Sequence, residues 1–299
     1  MIISPGISST MENVIDMELR VVLRTPATQT LEKTYVGPFR EMADRWNSEH
    51  TAKLEHASGA ATPVMVGISE SSGRSMHWTL QGEAKDGGGP IIIFIHPNTI
   101  RDNARDNVLP FIRKAFTGME DISDEEFIRG SVRSIIGHEV GHAFAPIALE
   151  SVRRRGGNNA VLEELKADTV GMHEFLTAKE NGIMTEQELI CQFYILIGDI
   201  CNYVRMGEEN PYHLDGIKML TALLDNNILV KAGNTYQVND PIRGVKILAD
   251  IGTNTLDSIY LNDESSDEKT IAYIESIRDL KKRKDVNDFI ETVAAIGAK

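Results

Sequence analysis

The pentapeptide His138-Glu139-Val140-Gly141-His142 constrains this chain more than any other feature. It reads H-E-x-x-H and lies in the apolar stretch Val132 to Phe144, which predicts a helix. Residues four apart share a helix face, so His138 and His142 can grip one metal ion together. Glu139 stands one step round, close enough to polarise a water on that ion. Zinc is the usual ion for this set, and a catalytic zinc takes three protein ligands and leaves a position for water. The motif therefore demands a second element that brings a further donor to the same point.

That element is predicted at Val161 to Gly171, where leucine, alanine, glutamate and lysine favour helix. Glu164 and Asp168 are four apart and share a face. Glu164 is assigned as third ligand. Asp168 is assigned to the far nitrogen of a ligand histidine, where a carboxylate fixes tautomer and orientation. Glu163 points about 100° away on an ideal helix, as a supporting carboxylate or, with the helix rotated, as the ligand itself.

Bulk properties narrow the class. The chain has 299 residues, 41% hydrophobic and 25% charged, ordinary values for a globular protein of one large domain or two modest ones. A net charge of -13 argues against nucleic acid, which needs clustered Lys and Arg. The basic cluster Arg153-Arg154-Arg155 reads as a solvated loop between the two metal helices, or as an anchor for an acidic substrate group. No run of about 20 apolar residues spans a membrane. Met1 to Arg20 lacks an apolar signal core, so a cytoplasmic location is expected. Cys191 and Cys201 are expected on one helix about 15 Å apart, too far for a disulfide.

The pattern along the chain predicts an α+β fold: a small N-terminal mixed β region over residues 1–100, packed on a mainly helical metal-binding core over 101–299. The N-terminus opens irregularly. Strands are expected at Met17 to Leu23, Val64 to Ser69, Met76 to Gln81 and Ile91 to Ile95, with a turn at Asp86 to Pro90. Ile91 to Ile95 reads as a core strand, or as an edge offered to an extended peptide. Helices are expected at Gly37 to Ala52, around Pro110 to Phe116, and over Thr185 to Arg205 behind a Thr185/Glu188 capping box. Further helices follow at Tyr212 to Asn226, about 241–260 and about 268–294, with a hairpin about Gly233-Asn234. Pro146 should stop the motif helix soon after His142.

Gly137 to His142, taken with Leu162-Glu163-Glu164-Leu165-Lys166-Ala167-Asp168, resembles the dipeptidyl peptidase III family of gluzincin-type zinc metallopeptidases and its short bacterial relatives. In that family the second glutamate of an E-E-x-x-A-[ED] helix is the third zinc ligand, which is Glu164 here. The likeness continues through Tyr203 to Gly207, His213 and Leu220 to Gly233. It implies a zincin-like core, one zinc per chain, peptidase activity and a transition-state histidine near His213. Tyr212, Tyr203 and Arg205 are further candidates for that role. The chain departs from the family in having H-E-x-x-H where the dipeptidyl peptidases have H-E-x-x-x-H, and in being much shorter.

The leading expectation is a zinc-dependent peptidase or amide hydrolase on short peptides, with Glu139 as general base. The alternatives are a metal-dependent hydrolase or lyase on a small non-peptide molecule, and a non-catalytic metal-binding regulatory module. His173 falls on the far helix face and is not expected as a ligand. His96 is expected at a turn or edge, and His50, His56 and His77 have no partner at ligand spacing. Oligomeric state is left open.

Overall fold

A computed structural model describes residues 2–9, 15–22, 26–53, 64–68, 82–85, 91–145, 157–261 and 267–297. Strands β1 (Ile2–Ser9) and β2 (Ile15–Val22) pair antiparallel, Ile2 opposite Val22. The opening expected to be irregular is thus a strand, its alternation hidden by Pro5, Gly6 and three serines. Helix α1 (Pro26–Leu31) runs through a wider π-type turn into α2 (Gly37–Glu49). Strands β3 (Val64–Ile68), β4 (Gly82–Lys85) and β5 (Ile91–Ile95) form one sheet in the order β3-β5-β4. β5 is parallel to β3 and antiparallel to β4. Among the described residues β5 is paired on both sides, so it is the central strand of its sheet and not an edge offered to a peptide. Met76 to Gln81, Asp86 to Pro90, Pro146, Arg153 to Arg155, His56 and His77 lie outside the described residues.

The rest is mainly helical: α3 (Pro97–Asn103), α4 (Leu109–Ala115), α5 (Asp124–Gly141), α6 (Gly157–Glu180), α7 (Glu186–Tyr203), α8 (Pro211–Asp225), α9 (Pro241–Thr255), α10 (Asp267–Leu280) and α11 (Lys284–Gly297). The hairpin β7 (Leu229–Ala232) and β8 (Thr235–Val238) turns at Gly233, whose φ of 65° suits glycine. The short strand β6 (Phe116–Thr117) joins it in parallel beside β8. This is an α+β fold. The single helix expected over 268–294 is two, because the chain turns at Lys281 to Arg283 before α11 starts. No described helix is long and apolar enough to cross a membrane.

Local chemistry sets the ends of the helices that matter. Ser123 caps α5, accepting from Glu126 N, and Asp124, Glu125 and Glu126 fill the first turn where the dipole favours anions. Thr185 and Glu188 form the expected capping box on α7. Asn210 caps α8 ahead of Pro211. Helix α5 ends at Gly141 rather than Phe144, with His142 at the C-cap, still in right-handed helical conformation. Asn47 of α2 secures the exit, donating to Ala143 O at 2.8 Å and accepting from Ala145 N at 2.9 Å. Cys191 and Cys201 are both free and buried on α7.

Helices α5 and α6 approach closely because glycine stands at the crossing. A Cβ on Gly141 would lie 2.5 Å from Ala167 O, and one on Gly137 2.5 Å from the Phe175 ring. Gly171 faces the Gly137 backbone in return. Backbone-to-backbone contact of this kind brings both histidines over the acidic face of α6.

Candidate metal centre

His138 and His142 come from the last turn of α5, at the negative end of its dipole, which favours a cation. Each Nε2 faces Glu164 Oε2 of α6, at 3.3 Å from His138 and 3.7 Å from His142. Their rings stand edge-on, with centroids 5.0 Å apart. Glu139 joins them: donor atoms of His138, Glu139 and His142 all lie within 4.8 Å of one another. The Nδ1 atoms point the other way, His138 to Asp168 Oδ1 at 2.7 Å and His142 to Glu163 Oε2 at 3.8 Å.

These residues fit a zinc ion. Tetrahedral bonds of about 2.0–2.1 Å hold neighbouring ligand atoms about 3.3 Å apart, close to the two spacings seen. Glu164 Oε2 is buried and has no hydrogen-bond partner. A buried carboxylate oxygen is costly without one, and a cation between it and the imidazoles supplies it. The donor set of two imidazoles and one carboxylate is that of many catalytic zinc sites.

Without a cation, the charges of the site lean on one another. Burial works against a charged His138, but Asp168 more than offsets it and raises the imidazole well above the ordinary range. Burial pushes Glu164 up, and the two imidazoles outweigh it, leaving the carboxyl below its ordinary value. Burial raises Glu139, and the nearby Glu164 and Asp168 add to it against the imidazoles. Glu139 is therefore a stronger base than an exposed glutamate.

Lys166, 0% exposed, holds Glu163 in place. It donates to Glu163 Oε2 and to Phe144 O, both at 2.8 Å, and lies over the Tyr260 ring. The Tyr260 hydroxyl donates to Glu163 Oε1 at 2.5 Å. Burial pushes Glu163 up, but Lys166 and His142 overrule it and hold the carboxyl at about 2.

The structure brings His138, Glu139, His142, Glu163, Glu164 and Asp168 together, and leaves His213 apart. His213 is 3% exposed, but its ring lies beside the backbone of Tyr203 and Met206, near Lys281 and Glu208. Its neighbour Tyr212 faces the site: its hydroxyl reaches Glu164, its ring lies 6.2 Å from that of His138, and Tyr203 packs on it at 4.8 Å. Arg205 lines a separate cavity of about 370 Å³ with Phe111 and Asn202. Sequence reasoning missed Lys166 and Tyr260, and also Asp199 and Asp215, whose carboxyls lie close to Asp168. His173 is exposed, His96 stands at the N-terminus of α3, and His50 stacks on Trp46.

No protein-family model and no curated protein matches the chain. Solved structures do. The structure of DPP III from Caldithrix abyssi matches with TM-score 0.70 at 14% identity, over 98% of this chain and 58% of that one. That of dipeptidyl-peptidase III from Corallococcus sp. strain EGB matches with TM-score 0.66 at 16% identity, over 95% and 54%. The chain therefore has a dipeptidyl peptidase III-like fold and spans a little over half the length of these two structures.

Proposed function

We propose that this chain is a zinc-dependent metallopeptidase that hydrolyses short peptides. The observation that carries the reading is the convergence of His138 Nε2, His142 Nε2 and Glu164 Oε2 beside Glu139. That the two solved structures named above are of dipeptidyl peptidases supports peptides as the substrate class.

His138, His142 and Glu164 hold the ion. Bound zinc supplies a positive charge that polarises a carbonyl and brings the pKa of a water toward neutrality. Asp168 accepts the Nδ1–H of His138 at 2.7 Å, and the Glu163 carboxylate 3.8 Å from His142 Nδ1 favours the proton on that nitrogen too, so both Nε2 lone pairs face the ion. Glu139 accepts a proton from the attacking water and delivers it to the leaving amine. Tyr212 donates its hydroxyl to the carbonyl oxygen as negative charge develops there, the role expected of His213.

The test is mass spectrometry of a diverse peptide mixture after incubation with zinc-loaded protein. Cleavage should fall about 10²–10⁴-fold in Glu139→Gln while zinc stays bound. Equal cleavage by the variant would remove Glu139 as base. Intact peptides with zinc-loaded wild type would remove peptides as the substrate.

A further inference from the structure

Helix α8 lies along α6 with its donors in register with the α6 acids. Tyr212 and Asp215, three apart, share one face of α8; Glu164 and Asp168, four apart, share one face of α6. The Tyr212 hydroxyl meets Glu164, and the Asp215 carboxyl meets Asp168 within hydrogen-bond reach. The second meeting is the unusual one. Asp215 is 0% exposed, and neither of its oxygens has a donor. Asp168 spends Oδ1 on His138, and its buried Oδ2 has no donor either.

Two ionised carboxylates can only accept. Ionised, this pair would leave three buried oxygens unpartnered and set two like charges against each other, each a cost of kilocalories. One proton removes the repulsion and satisfies one oxygen on each side. Asp168 has the His138 imidazole to stabilise its charge, whereas Asp215 faces the negative charges of Asp168 and Glu164.

We propose that Asp215 is a positioning residue: it remains a neutral carboxylic acid and donates its O–H to Asp168 Oδ2, locking Asp168 onto His138. Burial and then Asp168 raise the Asp215 carboxyl well above the ordinary range, as this requires. Asp168 is thereby held from both sides, and His138 presents Nε2 in one orientation. The consequence for the ion rests on the metallopeptidase reading, while the shared proton does not.

Two measurements test it. Asparagine keeps a neutral donor, so Asp215→Asn should bind zinc within a few-fold of wild type. Leucine keeps the volume and loses the donor, so Asp215→Leu should bind zinc about 10–100-fold more weakly, the usual effect of losing such support. Asn as damaging as Leu would show that an ionised Asp215 is needed, and Leu as harmless as Asn that no donor is; either overturns the proposal. The second measurement needs neither zinc nor the leucine variant. Infrared difference spectra of metal-free wild type against Asp215→Asn at neutral pH should show one carboxylic-acid carbonyl band lost in the variant. The subtraction cancels bands from other raised acids such as Glu174 and Asp199. No lost band overturns the proposal. Wild type that binds no zinc would sink the metal reading alone, and the infrared result would still decide whether the carboxyl pair holds a proton.

Discussion

Glu163 shows how one side chain ties the site to stability. Its carboxyl is held at about 2, against an ordinary 4.5, by Lys166 and His142 in opposition to burial. A folded-state value below the unfolded one stabilises above pH 4.5, and the gain is lost as pH falls toward about 2. Glu163→Gln keeps one of the two acceptor oxygens that Lys166 and Tyr260 use and removes the charge. In metal-free protein it should lower the unfolding free energy near neutral pH by on the order of 2–3 kcal/mol, the gap closing between pH 4.5 and about 2. Urea titrations across that range measure it, and a gap that ignores pH would leave Glu163 with packing alone. The pair Glu163-Glu164 was legible because acids at helical spacing behind H-E-x-x-H have a chemical use. Lys166 was not: a lysine in Glu-Glu-Leu-Lys reads as solvated, and only the fold turns it under Phe144. Tyr212 and His213 were separable only with the helix rotation known, since neighbours on a helix point about 100° apart. That rotation is fixed by the contact of Gly216 with Tyr203 and Val204, which no local pattern announces.

At the scale of elements, the geometry of the proposed metal site depends on how closely α5 and α6 cross. A methyl on Gly141 would stand 2.5 Å from Ala167 O and 2.8 Å from its Cα, atoms that no rotamer change can move. The helices would have to part, carrying His138 and His142 away from Glu164. Gly141→Ala should destabilise the protein by about 1–3 kcal/mol through overpacking, in spite of alanine's better helix propensity. It should also weaken zinc binding, whereas Gly157→Ala, with nothing within 4 Å among the described residues, should do neither. Urea unfolding and zinc titration of both variants decide the matter; a Gly141→Ala that matches wild type in both would mean that the crossing has slack. The capped helices were readable because Thr185 and Glu188 sit at the one spacing that closes a capping box. The hairpin at Gly233 was readable for a similar local reason. Strand β1 and the break between α10 and α11 were not, because pairing and packing with distant segments decide them.

Across the whole molecule, four helices converge on one point and bring an excess of acid with them. Helix α5 supplies Glu139, α6 supplies Glu163, Glu164 and Asp168, α7 supplies Asp199, and α8 supplies Asp215. Against these stand Lys166 and two imidazoles. Burial pushes Asp199 up to about 8, so the metal-free protein lowers its negative charge there by keeping protons. A divalent cation at the proposed site would answer the same imbalance and cross-link α5 to α6. An ion bound only by the folded state, at 100 times its Kd, adds about 2.7 kcal/mol. At roughly 2 °C per kcal/mol for a chain of this size, chelation should lower Tm by about 5 °C. The loss should also be local. Hydrogen exchange should rise at the C-terminal turn of α5 and along α6 and α8, and stay unchanged in α11, which supplies none of these donors. Calorimetry and exchange on zinc-loaded and chelated protein measure both effects. A Tm that ignores the chelator, in protein shown to have carried zinc, would mean that the fold holds its acids together without help from the ion.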